Sequence, residues 1–205
     1  MIAKMRNVGE ACTSANRFHV ADSVASEFTE KLAERMGAMK VGRGTEDGVE
    51  VGPLIDDDQR TKVAELVDDA TGKGATAVVG GRRIDGSGYF YEPTVLSDIS
   101  DDANLLKEEI FGPVAPVKGF GSEEEAVAAA NDTEFGLVSY VYTNDLKRAL
   151  RVCENLETGM IGLNQGLVSN AGAPFGGVKQ SGVGREGGNE GIAEYLETKY
   201  VAVNL

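Results

Sequence analysis

Two hydrophobic periods alternate along this chain. Val24, Phe28, Leu32 and Met36 recur every four residues, which puts them on one face of a helix. Asp22 or Ser23 is placed to cap that helix, and Gly37 stands near its end. A second helix is predicted over residues 57–73, with Val63, Leu66, Val67 and Ala70 facing inward and Gly72 and Gly74 closing it. Ser122, followed three residues later by Glu125, forms a capping box that opens a helix through Asn131. Asn144 or Asp145 caps another through Asn155, and a short one is expected over 188–196. Between them lie apolar runs suited to strands, at 18–20, 76–79, 114–120, 137–142 and 159–164. Residues 89–96 read as an edge segment, because Pro93 has no N–H to give to a ladder.

Strand and helix alternation of this kind predicts an α/β fold: a mainly parallel sheet with helices on both faces, in three α/β/α layers. No internal repeat or low-complexity linker interrupts it. Residues 1–10 read as a helix already under way, without a cap. The last apolar stretch, 200–205, reads as an extended piece with no strand to pair with, and an unpaired strand is a template for another chain. Both features lead to the expectation of a piece of a larger protein.

Composition narrows the chemistry. In 205 residues, 33 acidic side chains outnumber 20 basic ones, for a net charge of −13, so a basic face that tracks phosphate backbones is not expected. No run approaches the ~18 apolar residues of a membrane helix, and no apolar stretch near Met1 resembles a signal peptide. The expectation is a cytoplasmic protein with no nucleic-acid or membrane partner. The two cysteines, Cys12 and Cys153, and the single His19 lack metal-ligand spacing, so no metal site is expected and the cysteines read as free thiols. Cys153, on an amphipathic helix, reads as a buried, inert residue.

Three segments carry the candidate chemistry. The first is Asn7-Val8-Gly9-Glu10-Ala11-Cys12, an N-x-G-x-x-C pattern with a glycine that permits a tight backbone before the thiol. A cysteine acts covalently only as thiolate, and Arg6 is close enough in sequence to supply positive potential. Taken by itself the spacing favours a buried structural cysteine over a nucleophile. The second is Glu108-Glu109-Ile110-Phe111-Gly112-Pro113. The third is Pro174-Phe175-Gly176-Gly177-Val178-Lys179-Gln180-Ser181-Gly182-Val183-Gly184-Arg185-Glu186, in the stretch where many of the 27 glycines crowd. It is not a dinucleotide fingerprint, since no G-x-G-x-x-G follows a strand and opens a helix.

The trio, in this order and at these distances, resembles the aldehyde dehydrogenase superfamily over essentially the whole chain, most like its succinate-semialdehyde branch. The resemblance implies a catalytic, cysteine-bearing domain over 1–197 and an oligomerisation strand over 198–205, with the family's cofactor-binding domain absent from this chain. It implies that Cys12 is the nucleophile, with its backbone N–H as an oxyanion donor. It implies that Glu109 hydrogen-bonds the nicotinamide ribose of NAD or NADP, that Phe111 packs beside the nicotinamide, and that Lys62 also touches the ribose. Arg6 and Ser169 match substrate contacts of the succinate-semialdehyde branch, and Phe175 would line the aldehyde channel. A guanidinium fork suits a substrate carboxylate. The partners implied are a small-molecule aldehyde and further copies, as a homodimer or homotetramer. The general-base glutamate and the side-chain oxyanion asparagine of the family are not found in these residues, so the chain by itself is expected to be inactive. Two other readings stay open: a stand-alone assembly module without catalysis, and a coenzyme A-acylating aldehyde dehydrogenase.

Overall fold

The computed structural model describes residues 1–205, packed as two units, Met1–Asp132 and Thr133–Leu205. In the first, helix α1 (Ile2–Met5) leads into a tight turn, then strand β1 (Phe18–Ala21) and helix α2 (Asp22–Gly37). Helix α3 (Asp57–Gly72) is followed by β2 (Thr76–Val79), β3 (Thr94–Ser97), β4 (Val114–Phe120) and α4 (Glu123–Asn131). The four strands form one sheet in the order β1-β4-β3-β2, with β1–β4 and β3–β4 parallel and β2–β3 antiparallel.

Successive strand residues point to opposite faces, and the two faces are covered by different helices. Val95 of β3 and Ala115 and Val117 of β4 pack with Leu32, Ala33 and Met36 of α2. Their neighbours Leu96 and Val114 pack with Val63, Ala64, Leu66, Val67 and Ala70 of α3. The layers are thus helix, sheet, helix.

Three local expectations are corrected. Residues 89–96 are not an edge: β3 lies between β4 and β2 with Val95 and Leu96 fully buried, and Pro93 stands just before the strand, where it breaks no ladder. The exposed edge near it is β2. The N-terminal helix does not run on through Glu10, because Arg6 leaves the helical region at φ −57°, ψ 126°. Neither Asp22 nor Ser23 caps α2, whose N-cap is Ala21 with no side-chain bond. By contrast, Asp56 caps α3, Ser122 caps α4 and Asp145 caps the helix Leu146–Asn155 of the second unit, each by accepting from backbone N–H.

The second unit contains β5 (Phe135–Gly136), β6 (Val138–Val141), α5 (Leu146–Asn155), β7 (Met160–Leu163) and β8 (Val178–Lys179). β6 pairs with β7 in parallel, and β5 with β8 antiparallel. The helix expected over 188–196 is a 3-10 segment, Glu190–Tyr195. Gly187, Gly188 and Gly191 explain this, since glycine in a helix loses the most backbone freedom. Residues 200–205 join no sheet and expose Tyr200, Val201, Val203 and Leu205. No helix is long and apolar enough to cross a membrane.

Candidate active site

The N-x-G-x-x-C segment leaves α1 through three successive residues of positive φ: Asn7 at 50°, Val8 at 60° and Gly9 at 82°. A β-branched residue seldom takes that conformation, so Val8 is held there by its surroundings. It packs on the α3 side of the core. The Asn7 side-chain amide donates to the Glu10 carbonyl at 2.8 Å, and the Glu10 N–H donates back to the Asn7 carbonyl at 2.9 Å. Gly9 is buried, and a Cβ there would collide with the carbonyl oxygen of Gly112. The Ala15 N–H then donates to the Ala3 carbonyl at 2.7 Å, which ties the end of the loop to α1. The loop so fixed carries Cys12, which is exposed. Arg6, also exposed, opens the same loop.

The Glu-Glu-Ile-Phe-Gly-Pro segment makes the corner that Gly9 touches. Ile110 is fully buried and anchors it. Either side of that anchor, Glu109 is exposed and Phe111 half-buried. Two side-chain amides grip the backbone here. Asn16 Oδ1 accepts from the Ile110 N–H at 2.8 Å, while its Nδ2 donates to the Glu108 carbonyl at 2.9 Å and the Leu105 carbonyl at 3.3 Å. Gln59 Nε2 donates to the carbonyls of Ile110 at 3.0 Å and Phe111 at 2.8 Å. Phe111 has φ 52°, so its backbone too is held outside the usual region. One turn after Gln59 on α3, Val63 packs against Gly112, and Lys62 lies half-buried beside it in sequence.

Beneath this contact lies Lys4, only 1% exposed. Its Cε is 3.4 Å from where a Cβ on Gly9 would stand. Burial pushes its ammonium down to about 7, and the Glu109 carboxylate partly offsets this. Glu10, half-buried, has its carboxyl pushed up, first by burial and also by Asp56, while the Ile55 N–H that it accepts acts the other way. No three His, Cys, Asp or Glu side chains gather as a metal-binding group.

Comparison with known proteins places the chain as a whole. The family model described as "Aldehyde dehydrogenase family" matches residues 1–201. The chain belongs to the aldehyde dehydrogenase family. It is 57% identical over 203 residues to a succinate-semialdehyde dehydrogenase of Paenarthrobacter nicotinovorans, covering 99% of this chain and 45% of that protein. It is 50% identical to a glutarate-semialdehyde dehydrogenase of Pseudomonas putida, covering all of this chain and 42% of that one. The crystal structure of succinate-semialdehyde dehydrogenase from Burkholderia pseudomallei superimposes with a TM-score of 0.92 at 51% identity, over 94% of this chain and 40% of that one. The chain therefore spans less than half the length of these aldehyde dehydrogenases.

The remaining residues picked out by the family resemblance lie in the second unit. Ser169 is exposed in a loop. Phe175 is half-buried and exchanges two backbone hydrogen bonds with Glu186, at 2.6 and 2.7 Å. The glycine-rich segment is not a loose linker. The Arg185 guanidinium donates to the carbonyls of Gly177 at 2.7 Å, Gly184 at 2.9 Å and Val183 at 3.2 Å. Gly176 lies so close to the Gly184 carbonyl that a Cβ would not fit. Cys153 is half-buried on α5 rather than fully buried as expected.

Three residues of the site escaped the motif reading: Lys4, Asn16 and Gln59. Gln59 had a signal, since it stands four residues before Val63 on the inward stripe of α3, where a polar side chain must find partners. Asn16 and Lys4 had none.

Proposed function

We propose that this chain is the cysteine-bearing catalytic portion of an aldehyde dehydrogenase that oxidises an aldehyde with a carboxylate at its far end, succinate semialdehyde first among them. The observation that carries the reading is the exposed Cys12 on a loop locked by Gly9 against the corner that presents Glu109 and Phe111. The relative named for succinate semialdehyde is 57% identical and the one named for glutarate semialdehyde 50%, which favours the shorter substrate.

The thiolate of Cys12 adds to the aldehyde carbonyl to give a thiohemiacetal, with the Cys12 N–H as one donor to the new oxyanion. NAD or NADP, when bound, supplies the acceptor for the hydride that leaves the thiohemiacetal carbon. The residues present suit such a group: Glu109 offers an exposed carboxylate that can accept from two ribose hydroxyls, the Phe111 ring offers an apolar face, and Lys62 offers a donor on the same side of α3 as the Gln59 grip. The thioester left on Cys12 is cleaved by water, restoring the thiol and releasing the acid. Arg6, on the nucleophile's own loop, pairs with the substrate carboxylate, with Ser169 as a second substrate contact and Phe175 as channel wall. The terminal apolar segment 200–205 pairs with a further copy in a homodimer or homotetramer. The general base and a second oxyanion donor come from polypeptide beyond these residues.

The test is to join this chain to the cofactor-binding portion of a relative and to follow NAD(P) reduction with succinate semialdehyde. Turnover is expected from the joined protein and none from the chain by itself. Cys12→Ala should abolish the rate, by about a thousandfold or more, and Arg6→Ala should raise the KM for the semialdehyde far more than for an uncharged aldehyde of the same length. Undiminished turnover in Cys12→Ala would end the proposal.

A further inference from the structure

We propose that Asn16 is a positioning residue that latches the cysteine loop to the 108–111 corner and thereby fixes the direction in which Glu109 points. The proposal rests on the reading above, in which Cys12 is the nucleophile and that corner faces the cofactor.

Peptide planes carry the argument. The Glu108 carbonyl belongs to the peptide before Glu109, and the Ile110 N–H to the peptide after it. Asn16 donates to the first and accepts from the second, so both planes flanking Glu109 are pinned by one planar amide. With both held, the φ and ψ of Glu109 are set, and so is the direction of its Cα–Cβ bond. Gln59 does the same for Phe111, through the Ile110 and Phe111 carbonyls. The two amides divide the work: Gln59 ties the corner to α3, while Asn16 ties it to the cysteine loop, four residues from the thiol.

The residue type matters. Asn16 uses its oxygen as acceptor and its NH2 group as donor to two carbonyls, a combination that neither a carboxylate nor a hydroxyl reproduces. The partners are 89 to 94 positions away in sequence, so the contact is not a local turn. The next residue back, Ala15, is itself tied to Ala3 of α1, which gives the latch a fixed base. Small misplacements of groups around a reacting centre can cost about a hundredfold in rate, and this bridge sets the spacing of the thiol from the carboxylate.

The experiment compares the chain with its Asn16→Ala and Asn16→Asp variants by amide hydrogen exchange and by timed iodoacetamide labelling, with Cys153 as internal control. Asp keeps the acceptor for Ile110 and loses both donations. Exchange of the Ile110 amide should rise about tenfold in Asn16→Ala and by a smaller factor in Asn16→Asp, whose second oxygen faces the Glu108 and Leu105 carbonyls. The Cys12 labelling rate should shift at least about threefold in Asn16→Ala while that of Cys153 holds. In Asn16→Ala, unchanged Ile110 exchange, an unchanged Cys12 rate, or both cysteines shifting together as in general loosening would each overturn the latch. A parent chain in which Cys12 labels no faster than Cys153 would count instead against the nucleophile reading, and the variant-to-parent ratios would still decide the role of Asn16.

Discussion

Residues 1–132 and 133–205 are held in order by different means. The first unit has a core on both faces of its sheet, with Met36, Val63, Tyr91, Val95, Leu96 and Ile110 at 0–1% exposure. The second buries only Ala149 and Met160 among its apolar side chains, and exposes Leu146, Leu150, Ile192, Tyr195 and Leu196. Its order comes from paired backbone, from glycines packed against carbonyls and from the Arg185 guanidinium. Hydrogen bonds exchanged with water contribute little net stability each, whereas buried apolar area contributes in bulk. The first unit should therefore unfold as a cooperative whole and the second open locally.

The largest expected effect tests the core directly. Leu96→Ala, at a fully buried position between α3 and the sheet, should lose about 2–5 kcal/mol in urea unfolding. Leu150→Ala on the exposed side of α5 should stay within about 0.5 kcal/mol. Equal losses at the two sites would show that the second unit is packed as tightly as the first.

Lys4 sharpens the same contrast with pH. Its pKa is depressed to about 7 by burial, against an ordinary 10.5. Between those values the unfolded chain binds a proton that the folded one does not, so stability rises with pH across this window and is flat below it. The first unit should gain on the order of 1 kcal/mol per pH unit between pH 7 and 9, and Lys4→Met should remove that slope. Denaturation midpoints at three pH values would check it; a parent and variant that track each other would show the ammonium to be solvated.

How much of this was legible beforehand depended on the range of the interactions. The runs 76–79 and 114–120 became β2 and β4 with unchanged bounds, because apolar content and flanking glycines act locally. The segment 89–96 was misplaced at an edge because Pro93 was counted inside a strand that starts one residue later. The break after α1 was invisible, since nothing in Val8 announces a left-handed backbone; it is imposed by the core behind it. In the site, Cys12, Glu109 and Phe111 stood out through their motifs. Asn16 and Lys4 did not, because what gives each its role is a partner about ninety or more residues away that only folding brings near.

The smallest effect distinguishes the units by placing one chemistry in both. Asp56 caps α3 by accepting the Gln59 N–H at 2.8 Å, and Asp145 caps α5 by accepting the N–H groups of Lys147 at 2.9 Å and Arg148 at 3.1 Å. Removing either cap by alanine costs about 1 kcal/mol. Helix α3 buries five residues in the core, so it cannot melt without the unit, and Asp56→Ala should lower the unfolding midpoint as a whole. Helix α5 has ten residues and buries one, and a helix that short is marginal without packing. Asp145→Ala should thus raise hydrogen exchange along α5 about fivefold while the first unit's midpoint stays put. A matching drop in the midpoint would mean that α5 is bound into a cooperative core after all, and that the second unit's few buried side chains carry more than their number implies.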